Sequence, residues 1–82
     1  MDKWVISWIS WHDYELHMSY CIADTYEDAL KYALRSLVGL WEDLQGWKDY
    51  IEGLELNTSE DIKQEAFNCD GMVGAMCTNE SV

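Results

Sequence analysis

"KWVISWISW", Lys3–Trp11, places three of the chain's five tryptophans within nine residues. Side chains of a strand point alternately to opposite faces. Val5, Ser7, Ile9 and Trp11 therefore share one face, and Trp4, Ile6, Trp8 and Ser10 share the other. A second run of strand character, residues 14–23, follows after His12-Asp13, a spacer with the length of a two-residue hairpin turn. It is not the favoured Asn-Gly or Asp-Gly pair. With that turn Trp11 faces Tyr14, Ile9 faces Leu16, Ser7 faces Met18 and Val5 faces Tyr20. On the opposite face Trp4 meets Cys21, Ile6 meets Ser19, Trp8 meets His17 and Ser10 meets Glu15. Both faces are partly apolar, so the fold turns on which one the rest of the chain covers.

The rest of the chain reads as helical. In "DTYEDALKYALRSLV", residues 24–38, Tyr26, Ala29, Leu30, Ala33, Leu34, Leu37 and Val38 recur at helical spacing. Asp24 or Thr25 caps it, with Glu27 or Asp28 as the capping-box partner. Glu27, Lys31 and Arg35 are expected on its outer, solvated face. Residues 40–54, "LWEDLQGWKDYIEGL", predict a second helix, separated from the first by a break near Gly39. Gly39, Gly46 and Gly53 recur every seven residues, and Gly46 marks close packing or a bend. A third helix begins after Asn57 or Thr58 and stops at Cys69-Asp70-Gly71. Residues 72–78, "MVGAMCT", fit either a third strand closing the sheet or a loose tail, with the last four residues frayed. The expected fold is α+β: an N-terminal antiparallel β-hairpin packed against two or three helices, in one small acidic domain, 1–82.

Composition narrows the function classes. The 82 residues carry 16 Asp and Glu against 5 Lys and Arg, for a net charge of −11. That balance speaks against direct nucleic-acid binding, which needs a basic patch, and against an anionic membrane surface. No apolar run approaches the roughly 20 residues of a membrane span, and the N-terminus lacks a signal-peptide pattern. Three cysteines, Cys21, Cys69 and Cys77, form no C-x-x-C and fit free thiols in a reducing cytoplasm. A nucleophilic cysteine needs an electropositive setting, which this chain does not offer. There is no G-x-S-x-G, no P-loop and no G-x-G-x-x-G. A chain this small also leaves little room for a substrate pocket, so no enzyme activity and no cofactor are expected. His12, Asp13, Glu15 and His17 could ligate a divalent metal, but hairpin turns carry such residues routinely, and no metal is expected.

Two features remain. Residues 42–65 hold eight carboxylates against two lysines, and Glu42, Asp49 and Glu52 are expected near one helix face. Together with Asp43, Glu55, Glu60 and Asp61 they form a candidate acidic surface. Carboxylates on adjacent turns lie ~5–6 Å apart. That is comparable to successive phosphates of a nucleic-acid strand, so the surface suits a groove built for DNA or RNA. A net charge of −11 also exceeds what solubility alone requires. The second feature is the indoles. They fill the core, or, if the helices cover the Val5/Ile9 face, Trp4, Ile6 and Trp8 are left as an exposed partner or dimer surface.

The expectation is a non-enzymatic inhibitor whose acidic surface blocks the basic nucleic-acid-binding site of a larger cytoplasmic protein. In size and charge balance the chain resembles the small acidic inhibitors that bacteriophages make against bacterial restriction and CRISPR systems. The alternative is a regulatory, adaptor or antitoxin-like module, with a homodimer formed through the Trp4/Trp8 face.

Overall fold

The alternating N-terminal pattern folds as two strands, β1 (Asp2–Ser10) and β2 (Leu16–Ala23), in a computed structural model that describes residues 1–81. Three helices follow, α1 (Tyr26–Leu37), α2 (Leu44–Ile51) and α3 (Ser59–Asn68), and a last strand, β3 (Gly71–Ser81). The sheet is antiparallel throughout, in the order β2-β1-β3, so the indole-rich strand is central. The α+β architecture and the C-terminal third strand are thus both present.

The hairpin register is the one the turn position implies, from Trp4 opposite Cys21 to Ile9 opposite Leu16. The turn itself is wider than two residues. Tyr14 takes a left-handed φ of 56°, and its N–H donates to the Ser10 carbonyl at 2.9 Å. His12-Asp13 lacks the glycine that a tight primed turn favours, so the positive φ moves to Tyr14 and the connection lengthens.

The helices lie on the face that carries Trp4, Ile6 and Trp8. This reverses the arrangement in which those three would meet solvent or a partner. Ile6 is 0% exposed, and Trp4 and Trp8 are half-buried against the same cluster. The reason is size. That face offers small residues, Cys21, Ala23 and Ala75, and α1 answers with Ala29 and Ala33 one turn apart. Small residues on both sides let a helix approach a sheet closely and exclude water. Trp4 closes one margin, its indole N–H donating to the Ala23 carbonyl at 3.1 Å. Leu30, Leu34, Trp47, Ile62 and Ala66 form a second cluster among the helices.

The helix ends explain why the second helix is shorter than its apolar stripe suggests. Helix α1 stops in a Schellman pattern: Leu40 N–H donates to the Arg35 carbonyl and Gly39 N–H to the Ser36 carbonyl, with Gly39 at φ 77°. The chain then restarts at Asp43, whose carboxylate caps α2 by accepting the Gly46 N–H at 2.8 Å. A side chain at Gly46 would run into that carboxylate. Gly46 therefore serves the cap, Gly39 serves a helix end, and their equal spacing is no repeat. Helix α1 is capped by Thr25, and α3 by Thr58 in a full capping box with Asp61.

Candidate interaction surfaces

Covering one sheet face leaves the other bare. Leu16, Met18 and Tyr20 on β2 and Met72 and Met76 on β3 are each more than half exposed, with Met76 at 67%. Val5 and Ile9 lie between them on β1, paired with Tyr20 and Met76 and with Leu16 and Met72. Ser7 and Gly74 face each other at the centre of this surface, where their small size leaves it low. The Lys3 ammonium lies 4.5 Å from the Tyr20 ring centroid. A contiguous exposed apolar patch of this kind marks an interaction surface. Methionine suits such a surface because its thioether adapts to different partners. The alternation in "KWVISWISW" foretells a bare face, but it does not say which one.

The acidic residues lie away from this sheet face, in the segment from Glu42 to Asp61. Glu42, Asp43, Asp49, Glu52, Glu55 and Glu60 are exposed and Asp61 is half-buried. They do not form the expected comb along one helix. Only Asp49 lies within α2. Glu42 precedes its cap, and Glu52 ends it in extended backbone. Asp43 and Asp61 are held by backbone N–H groups at helix starts, Asp61 accepting from Thr58 at 3.1 Å. Asp49 accepts from the Gln45 amide at 3.0 Å. Among the described residues, no cation stands within ion-pair distance of any of the seven. Among the described residues, the negative charge of this segment is not compensated by ion pairs.

The remaining candidates for chemistry are placed as follows. Asp13, Glu15 and His17 come together at the hairpin end, their ligand atoms all within 4.8 Å of one another. Asp13 accepts the Glu15 N–H with Oδ1 at 2.9 Å and keeps Oδ2 3.8 Å from His17 Nε2, while the His17 ring stacks on Trp8 at 5.7 Å. His12 turns away toward Asp70, 3.6 Å from it. Cys21 is buried, and burial pushes its thiol pKa up. Cys69 lies beside Tyr50 and Glu65, and burial raises its pKa too. Tyr50 donates to Glu65, and its pKa is raised first by burial and then by its bonds to Cys69 and Glu65. Raised thiol pKa values are the opposite of what activates a cysteine nucleophile.

Two open grooves flank the helices, larger than a chain of this length suggests. One, about 430 Å³, runs between α1, α2 and the end of β2. The other, about 510 Å³, lies between α3 and β3. No helix among the described residues is long and apolar enough to cross a membrane. Comparison with protein families, curated proteins and solved structures returns no match for this chain.

Proposed function

We propose that this chain is a non-enzymatic binding protein that occupies a basic, nucleic-acid-binding surface of a larger protein and blocks it. The observation that carries this reading is the run of exposed carboxylates from Glu42 to Glu60, to which no cation is paired among the described residues. Uncompensated charge of one sign favours a partner of the other, speeds their encounter and disfavours wrong partners. The carboxylates sit on a cap, a short helix and a loop rather than on one helix, so the likeness to a phosphate backbone is one of charge density, not of regular spacing. Reversal of Glu42, Asp49 and Glu52 to Lys tests it. The triple variant should keep its fold and lose its partner in capture from native extract, and the wild-type complex should weaken steeply as salt rises. Recovery of the same partners by both proteins would sink the proposal.

A second reading concerns assembly, and the bare sheet face supports it. A copy of the same chain fits that face because its described residues are mostly apolar, with Lys3 beside Tyr20 as their charged member, on a molecule of −11. Two such sheets packed face to face at ~10 Å would bury the methionines and leave both helical sides outward. The dimer surface proposed here is therefore the Val5/Met18/Met76 face, in place of the Trp4/Ile6/Trp8 face that α1 covers. The two readings are compatible, since the acidic segment stays free in such a dimer.

A further inference from the structure

Three of the chain's five cationic side chains, Lys31, Arg35 and Lys48, line the same groove between α1 and α2. Lys31 and Arg35 are one turn apart on α1, where like charges repel. Lys48 reaches the groove from α2. Among the described residues, none of the three stands within ion-pair distance of a carboxylate, in a chain with 16 of them. Arg35 is also fixed in place. Its Nε donates to the Leu40 carbonyl at 2.8 Å, and its guanidinium lies 5.7 Å from the Trp41 ring centroid. The terminal nitrogens make no hydrogen bond to the described residues, and a guanidinium held this way is prepared for an anion that takes two parallel bonds.

The floor of the groove is apolar, formed by Ala23, Tyr32, Leu44, Trp47 and Ile51. Among the described residues no Ser, Thr, Asn, Gln or His lines it, and its polar members are the three cations, Asp24, Asp28 and the Tyr32 hydroxyl. Asp24 and Asp28 are its acidic members. Asp24 is already 3.8 Å from the N-terminal amine, and Asp28 lies nearer the start of α1 than Lys31 and Arg35. The volume of about 430 Å³ falls within the range of small-molecule sites, ~300–1,000 Å³.

We infer that the α1–α2 groove binds a small amphipathic anion, with a carboxylate or phosphate head held by Arg35, Lys31 and Lys48 and an apolar body against Tyr32 and Trp47. The inference is independent of the acidic segment and of the bare sheet face. Lys31, Arg35 and Lys48 outnumber Asp24 and Asp28 in the lining, so the groove is locally cationic despite the net charge, and exposed charges more than ~8 Å away are largely screened at physiological salt.

Octanoate, octyl phosphate and neutral 1-octanol, titrated as monomers and followed by the Trp47 indole resonance and by calorimetry, test the inference. Both anions should bind at one site per chain, and 1-octanol at least about tenfold more weakly. A difference between the two anions would tell whether the head is a carboxylate or a phosphate. Arg35→Gln and Lys48→Gln should each weaken the anions while leaving 1-octanol unchanged. Lys48 is exposed, so its variant remains informative if loss of the Arg35 anchor disturbs the fold. Met18→Gln, on the bare sheet face, should change nothing. Equal binding of anions and 1-octanol, binding of none, or loss through Met18→Gln in place of Lys48→Gln would each overturn the inference.

Discussion

Val5 and Met76 oppose each other across β1 and β3 on the sheet face that no helix covers, while Ile6 and Ala75, the next pair along the ladder, lie beneath α1. One residue of register separates core from surface. Truncation should reveal that contrast. Ile6→Ala removes a side chain at 0% exposure and should cost about 2–5 kcal/mol in chemical denaturation. Met76→Ala, in the monomer, should stay within about 0.5 kcal/mol of wild type. Similar losses at both sites would mean that the two faces are wrongly assigned.

The same bare face governs assembly. Met18→Glu combined with Met76→Glu puts two charges into an apolar contact, where unpaired charge is costly. Sedimentation equilibrium should show wild type self-associating at high micromolar concentration and the double variant monomeric, with unchanged far-UV dichroism. A wild type that stays monomeric throughout removes the dimer reading and leaves the acidic segment unaffected.

Gly46 and Asp43 make a paired prediction. In an ordinary helix interior Gly→Ala adds about 1 kcal/mol of stability. Here the new methyl would displace the capping carboxylate, so Gly46→Ala alone should bring no gain or a loss. In an Asp43→Ala background the obstacle is gone, and the same change should stabilise. Additivity of the two substitutions in thermal melts would contradict this account of the glycine.

Stability should fall in alkali. Cys21 and Cys69 hold their protons more tightly folded than unfolded, since burial raises both above the ordinary 9.0. Tyr50 is raised above 10.0 in the same way. The stabilisation is therefore complete below pH 9 and is lost as pH climbs through the folded values, because the unfolded chain releases its protons first. Melting temperature should decline from pH 9 upward, and Tyr50→Phe should flatten the steeper part above pH 10. A melting temperature independent of pH between 8 and 11 would show that these groups are not shielded.

Much of the backbone was legible in the sequence, because its signals are local. The hairpin register follows from where His12-Asp13 falls, the helix starts, to within one residue of the caps Thr25 and Thr58, from the polar pairs before apolar periodicity, and α3 from its acidic first turn. The covered face was not legible. Period-two alternation put apolar residues on both faces, and the choice rested on a size match between Ala29/Ala33 and Cys21/Ala23/Ala75 that exists only once α1 docks. The cationic groove was hidden for a similar reason. Lys31 and Arg35 read as a solvated outer face, and only the return of α2 brings Lys48 alongside them. The helix expected over 40–54 lost its first turn because Gly39 ends one helix and Asp43 caps the next.

The central claim is that the unpaired carboxylates between Glu42 and Glu60 direct this chain to a basic, nucleic-acid-binding protein. Capture from native extract with wild type and with the Glu42→Lys/Asp49→Lys/Glu52→Lys variant, followed by nucleic-acid competition on the captured partner, tests it most directly. The account predicts a partner that binds nucleic acid, is released by wild type from that nucleic acid, and is not retained by the variant. A partner retained equally by both proteins, or one that holds its nucleic acid undisturbed while bound, would contradict it.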